Sequence, residues 1–241
     1  MKENFYKKIN ELLKQISVEI NVEQSEKFFK YMELMLEWNE KINLTAITEQ
    51  DEIILKHFVD CLTILKYINE DETVVDMGTG AGFPGVPLAI MLEKNNFTLV
   101  DSLNKRINFL NIIKENINLK NVITIHNRAE DFGQNKLYRE QYDVAVSRAV
   151  APLNVLVEYL LPLVKTNGKI ICMKGSKAEE EIEQAKYAIK ELGGKIELID
   201  EFYLPSTDMK RTTIIIKKID VSPKKYPRKA GIPSKNPLIK S

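Results

Sequence analysis

The sequence predicts an α/β domain on a mostly parallel, doubly wound sheet of seven strands, preceded by a helical extension. Three observations carry that expectation. From residue 72 onward, short β-branched runs alternate with helix-length segments. Four of the chain's ten glycines lie between Gly78 and Gly85, directly after the first of these runs. The last two runs leave no room for a helix between them, so they should close the sheet as an antiparallel hairpin.

Taken in order, residues 1–70 read as helices. Phe5, Ile9, Leu12, Leu13, Ile16 and Ile20 recur at helical spacing. Asn21-Val-Glu-Gln24 reads as a cap opening a second helix, with Phe28, Met32, Met35 and Leu36 on its apolar side. Thr48-Glu-Gln-Asp51 should start a third, carrying Ile53, Ile54, Phe58, Leu62 and Leu65; the Met and aromatic positions here read as core. Residues 71–220 are expected to form the α/β domain. Its expected parallel strands are Thr73–Met77, Phe97–Asp101, Val122–His126, Tyr142–Ser147 and Gly168–Met173. The helices between them are Pro84–Lys94, Lys105–Asn118, Leu153–Val164 and Ser176–Leu192, the last ended by Gly193-Gly194. Lys195–Phe202 and Thr212–Lys218, joined around Pro205-Ser-Thr-Asp208, make the hairpin. Residues 221–241 hold four prolines and read as an extended arm.

Bulk composition narrows the class. Hydrophobic content of 44% and charged content of 29% suit a globular protein. No apolar run reaches the roughly 18 residues that span a bilayer, and the N-terminus lacks a signal peptide's apolar core, so a cytoplasmic protein without membrane partners is expected. Two cysteines and two histidines without ligand spacing argue against a metal site. Net charge is only +1, but its distribution is uneven. Residues 1–72 carry a net of −6, while the arm carries Lys224, Lys225, Arg228, Lys229, Lys235 and Lys240 and no acid. Such an end can attract phosphate or be a solvated tail.

The glycine turn, Asp76-Met-Gly78-Thr-Gly80-Ala-Gly82, follows a strand and precedes a helix, the context that gives such a motif meaning. Glycine there permits positive φ and close approach of a ligand to the backbone. Its spacing departs from the G-x-G-x-x-G dinucleotide fingerprint because Phe83 fills the last position. Asp76 suits the ammonium of a methionine moiety better than a pyrophosphate. Parallel strands closed by a hairpin are the arrangement of class I methyltransferases, which points to S-adenosylmethionine at the first crossover. A tight turn with no ligand is the plainer alternative.

Three further strand ends converge on that place, at the carboxyl edge where open α/β sheets bind ligands. Asp101 suits ribose hydroxyls, or the cap of the helix after it. Asn127-Arg128-Ala129-Glu130-Asp131 brings polar groups to the adenine side, and Ser147-Arg148-Ala149 ends the fourth strand. The Asn/Asp-Pro-Pro-aromatic motif of amine methylation is absent from that fourth position. Pyrimidine C5 methylation needs a cysteine nucleophile, and Cys172, inside a strand, reads as packed. Guanine N7 attacks a sulfonium methyl with its own lone pair, so alignment without a base suffices; other acceptors meet the same condition.

Beyond these motifs the chain resembles the bacterial 16S ribosomal RNA guanine-N7 methyltransferases, the glucose-inhibited division protein B family. The likeness rests on Trp38-Asn39-Glu-Lys-Ile42-Asn43-Leu44-Thr45, His57-Phe-Val-Asp60, Gly78–Ile90, Asp101-Ser-Leu-Asn-Lys-Arg106 and Arg128-Ala-Glu130. Ser147–Leu153, Lys174-Gly175 and Arg228–Leu238 complete it, in order along nearly the whole chain. One departure is Met77, where a smaller aliphatic is usual; it should pack behind the turn. The resemblance implies a 7-methylguanosine product in a loop of small-subunit RNA near the decoding centre. It implies cofactor contacts at Gly78, Phe83, Ala129, Glu130 and Arg148, with Asp101 near the ribose, Asp76 and Gly80 completing the cofactor turn, and Arg148 a candidate catalytic residue. It implies RNA contacts at Arg128, Lys174, Lys224, Lys225, Arg228, Lys229 and Lys235, with 16S RNA, naked or within the small subunit, as partner of a monomer. His57 and Asp60, three residues apart, are expected to form a hydrogen-bonded pair that shapes the pocket. A small-molecule methyltransferase with a helical lid and a non-catalytic nucleotide- or RNA-binding module are the competing readings.

Overall fold

A computed structural model describes residues 2–240. Its sheet has seven strands: β1 (Thr73–Met77), β2 (Asn96–Asp101), β3 (Val122–His126), β4 (Tyr142–Arg148), β5 (Val164–Lys174), β6 (Gly194–Tyr203) and β7 (Lys210–Lys218). They lie in the order β3-β2-β1-β4-β5-β7-β6. The first five run parallel, and β7 enters antiparallel between β5 and β6. The expected closing hairpin is therefore present, with its second strand on the inner side.

Alternation along the central strands divides the core in two. Val74, Val144, Val146 and Ile171 face the cluster built by the N-terminal helices. Val75, Ala145, Ile170 and Cys172 face the opposite cluster. On the first face lie α1 (Lys2–Gln15), α2 (Val22–Ile42), α5 (Gly85–Met91) and α6 (Asn104–Asn116). On the second lie α8 (Leu153–Leu160) and α9 (Ala178–Glu191). Phe5, Phe28, Tyr31 and Phe58 share one continuous core with Phe97 and Leu99 of the sheet, so the N-terminal helices are built into the α/β body.

The local signals account for most boundaries. Asn21 Oδ1 accepts the Gln24 N–H at 2.8 Å and Gln24 Oε1 accepts the Asn21 N–H at 3.0 Å, a reciprocal capping box. The third helix differs from expectation. It begins at Gln50 behind Glu49, which makes no side-chain cap, so the Thr48 start is corrected. After α3 (Gln50–Ile53) it widens into a π-turn over Ile54–Val59, then resumes as α4 (Asp60–Leu62). The extra residue in that turn re-aims His57 and Asp60, which apolar periodicity alone does not reveal. Leu153–Val164 is shorter than expected: Pro162 forms a 3-10 turn over Leu161–Leu163 and Val164 already pairs with Tyr142. A polar helix, α7 (Ala129–Gln134), and a short one, α10 (Ile232–Lys235), carry too few apolar residues to show a period.

The arm is extended, yet it is docked. Ser222 and Tyr226 are buried. Arg139 donates from Nη1 to the carbonyls of Gly133 and Tyr226, and from Nη2 to those of Ser222 and Pro223. Gln134 donates to the Lys224 and Pro227 carbonyls. The solvated-tail alternative is thereby set aside for residues 222–231.

Candidate active site

The glycine turn is held from both sides by carboxylates. Gly78, Gly80 and Gly82 have φ of +73°, +63° and +104°, conformations L side chains rarely adopt. Behind the turn, fully buried Asp76 accepts from Thr79 Oγ1 at 2.6 Å and from the Gly85 N–H at 2.8 Å. Burial pushes its carboxyl up to about 7, against the pull of those two donors. Asp76 thus ties the turn together from inside through Oδ2, while its buried Oδ1 has no partner among the described residues. In front, Asp101 Oδ2 accepts the Gly80 N–H at 2.9 Å and Arg106 Nη1 at 3.2 Å, while Oδ1 accepts the Leu103 N–H. Asp101 thus ties the glycine turn to the residues that open α6, whose own N-cap, Leu103, makes no side-chain cap.

A trough runs along the carboxyl ends of the strands in three lobes. The first, about 370 Å³, lies over Gly78–Ala81 and is walled by Thr45, Phe83, Asp101 and Arg148. A second, about 330 Å³, shares Gly78 and Asp101 and extends to Arg128, Ala129, Glu130 and Tyr159. The third, about 360 Å³, shares His57, Arg148 and Ala149 with the first and has the largely apolar walls Ile47, Met173 and Phe202. At Gly80, no atom stands within 4 Å of where a side chain's first carbon would sit, so the turn leaves room for a ligand to touch the backbone. The turn, Asp101 and the Ala129–Glu130 helix start fit a bipartite adenosine–methionine ligand laid across the first two lobes. Met77 packs in the core beneath them, as expected.

Arg148 stands between the first and third lobes. It donates to the Lys56 carbonyl at 2.9 Å, to Asp60 Oδ2 at 3.4 Å and to His57 Nδ1 at 3.1 Å, and its guanidinium lies 4.8 Å from the Phe83 ring centroid. Phe83 in turn stacks on His57 at 4.5 Å. His57 and Asp60 are therefore not bonded to each other as expected; both meet Arg148. Asp60 also receives Arg211 Nε at 3.2 Å. Burial raises the Asp60 carboxyl, and the two arginines oppose that rise. Arg211 and Thr212, whose buried Oγ1 has no partner among the described residues, line the third lobe. Sequence spacing shows neither: Arg211 lies 151 residues from Asp60, and no local rule links them.

Burial and the neighbouring Arg148 charge hold His57 down to about 3. The ring is neutral, and because Nδ1 accepts from Arg148, Nε2 carries the hydrogen and donates to Thr45 Oγ1 at 2.9 Å. The unfolded ring takes up a proton near 6.5 and the folded ring only near 3, so acid favours the unfolded chain between those values. Relative to His57→Gln, the wild type should lose about 2 kcal/mol of stability between about pH 7.5 and about pH 5. Denaturant unfolding of both proteins at the two pH values checks this, and an unchanged gap would refute it.

The expected RNA contacts separate into two groups. Arg128, Lys224, Lys229 and Lys235 are exposed and make no ion pair among the described residues. Lys225 is exposed and pairs with Glu191. Lys174 is buried, donating to the Ala151 carbonyl and to Glu181 at 2.7 Å, and Arg228 grips buried Glu158 at 2.7 Å. These last two are committed internally; a sequence displays a charge without its partner. Cys172 is packed within β5 and its thiol is pushed up to about 12 by burial, which leaves no nucleophile there. Among the described residues no three His, Cys, Asp or Glu side chains cluster to hold a metal, and no helix is long and apolar enough to cross a membrane.

Solved structures with this architecture include M. jannaschii TYW2 in complex with AdoMet, at a TM-score of 0.54 and 18% identity over 66% of this chain and 75% of that one. A SAM-dependent methyltransferase from Aquifex aeolicus aligns at a TM-score of 0.52 and 18% identity, over 66% of this chain and 90% of the other. These likenesses concern the fold. Sequence relatives are far nearer. The ribosomal RNA small subunit methyltransferase G of Clostridium botulinum is 50% identical over 236 residues, 97% of this chain and 99% of that protein. Its counterpart from Acetivibrio thermocellus is 52% identical over 222 residues, 92% of this chain and 91% of that protein. The model of the rRNA small subunit methyltransferase G family matches residues 24–207, from the first turn of α2 to the tip of the hairpin. With the turn, the trough and this near full-length identity in agreement, the chain belongs to the rRNA small subunit methyltransferase G family, whose members are S-adenosylmethionine-dependent enzymes.

Proposed function

We propose that this chain transfers the methyl group of S-adenosylmethionine to N7 of a guanine in a loop of 16S ribosomal RNA, in the cytoplasm, on naked RNA or a small subunit. The observation that carries the reading is the absence of a free base at the junction of the first and third lobes, among the described residues. Both His57 nitrogens are engaged, by Thr45 and Arg148, and Asp60 is held by Arg148 and Arg211. Such a site can align an acceptor but is poorly equipped to deprotonate one. Guanine N7 brings its own lone pair, so positioning accounts for the catalysis required. The third lobe, lined by the apolar Ile47, Met173 and Phe202 together with the polar Arg211 and Thr213, suits a purine with polar edges.

Within this reading Gly78, Gly80, Phe83, Asp101, Ala129 and Glu130 hold the methyl donor, and Arg148 separates donor from acceptor. When bound, S-adenosylmethionine supplies an electrophilic methyl on sulfur. The chain's part is to exclude water and to keep the acceptor edge in line. RNA from cells lacking this protein should be missing one 7-methylguanosine from 16S RNA, restored by the wild-type gene. Retention of that methyl group would overturn the proposal, and RNA-independent turnover of a small acceptor would favour the lid-type alternative.

The exposed cations supply the phosphate contacts that orient the RNA. Replacing Lys224, Lys229 and Lys235 with glutamine should weaken RNA binding and reduce the salt slope by about 0.7 to 0.9 for each phosphate that is no longer neutralised. Cofactor affinity should stay unchanged. Filter binding at several salt concentrations checks this; a lower affinity with an unaltered slope would mean that these lysines do not touch phosphate.

A further inference from the structure

The docked arm reaches the cofactor trough itself. Glu158 on α8 is fully buried and accepts four hydrogen bonds from Arg228: the backbone N–H at 2.8 Å, Nε at 2.9 and 3.2 Å, and Nη2 at 2.7 Å. Three residues on, the Gly231 N–H donates at 2.9 Å to Oε1 of Glu130, a wall of the second lobe. The same Oε1 receives the Tyr159 hydroxyl at 3.4 Å, and Tyr159 lies 3.1 Å from Ser234 Oγ of the arm. Glu130 Oε2 accepts no bond among the described residues, so its hydrogen-bonding capacity is intact for an occupant of the lobe. One partner of Oε1 therefore belongs to the arm, and the other is steadied by it.

The geometry points to Arg228 as a positioning residue for the methyl donor: its ion pair with Glu158 pins the arm, and the pinned arm orients Glu130 toward the adenosine half of S-adenosylmethionine. This rests on the reading that Glu130 lines the cofactor site. It also divides the arm's cations by task, with Arg228 serving the cofactor and the exposed lysines serving RNA.

Titration calorimetry without RNA, on the full chain, tests the inference with S-adenosylmethionine and with adenosine as probes. Arg228→Met should weaken both by a similar factor, about tenfold, since the shared adenosine half is affected. Methylation should show a raised KM for the cofactor and a kcat close to wild type when cofactor and RNA are saturating. Arg228→Lys, which keeps the charge but loses the planar fork, should fall between the two. Glu130→Ala should weaken binding on its own, and adding Arg228→Met to it should bring little further loss, because both act through one carboxylate. Wild-type affinity in Arg228→Met, or losses that add in the double variant, would overturn the inference. If Arg228→Met does not fold, wild-type affinity in Arg228→Lys overturns it equally. Unchanged affinity in Glu130→Ala would instead refute the assignment of the second lobe to the cofactor.

Discussion

Gly80→Val should lower affinity for S-adenosylmethionine about a hundredfold or more, roughly 3 kcal/mol, while the protein remains folded. Gly80 has φ of +63° and no atom within 4 Å of where a first side-chain carbon would sit, so the branched side chain extends into the first lobe. The backbone strain of a β-branched residue in this region is about 1–2 kcal/mol, small enough for a domain with two extensive cores to absorb. Gly85 behaves differently. A side-chain carbon there would collide with the Leu99 side chain and stand 2.8 Å from Asp76 Oδ2, so Gly85→Val should lose the fold along with binding. Calorimetry with thermal unfolding distinguishes the two. A Gly80→Val protein that binds cofactor normally would remove the turn from the site.

Arg148→Met should reduce kcat/KM for RNA methylation by about a hundred- to a thousandfold with a much smaller effect on cofactor binding. Arg148 joins four elements: the π-turn through Lys56 and His57, Asp60 behind it, Phe83 of the glycine turn, and its own strand end. Without the guanidinium, His57 Nδ1 loses its donor and Phe83 its stacked cation, so the wall between the first and third lobes loses its shape. Asp60 keeps Arg211, which limits the stability loss. Arg148→Lys should rescue little, because one ammonium cannot serve three acceptors in a plane and lie on an aromatic face. Single-turnover methylation at saturating cofactor measures the effect; near wild-type rates in Arg148→Lys would show that charge alone matters.

The parts of this molecule readable in its sequence are those governed by local rules. The seven strands, the capping box at Asn21 and the glycine turn follow from short-range patterning and from the steric freedom of glycine. The cofactor edge is legible because four strand ends carry polar residues at consistent places. What escapes depends on long-range contact. Asp76 turns inward because Thr79 and the Gly85 amide offer it donors behind the turn. The π-turn at Ile54–Val59 has no signature in apolar spacing, so the way His57 and Asp60 meet Arg148 stays hidden. Lys174 and Arg228 read as free cations until Glu181 and Glu158 stand beside them. Lys218, wholly buried against Glu140 and two carbonyls, gives no signal within an ordinary basic strand end.

The position of β7 between β5 and β6 has a consequence for synthesis. On a ribosome the part of the trough carried by β1 to β4 emerges while β7 is still unmade. Arg211 and Thr212, at the start of that strand, are needed before the third lobe has its wall. Until then β5 and β6 present open edges with nothing between them, a state prone to pairing with other chains. A chain halted before residue 210 has the glycine turn but neither the wall of the third lobe nor the arm that holds Glu130. The third lobe is thus completed only near the end of translation, after the glycine turn and its helix have been made.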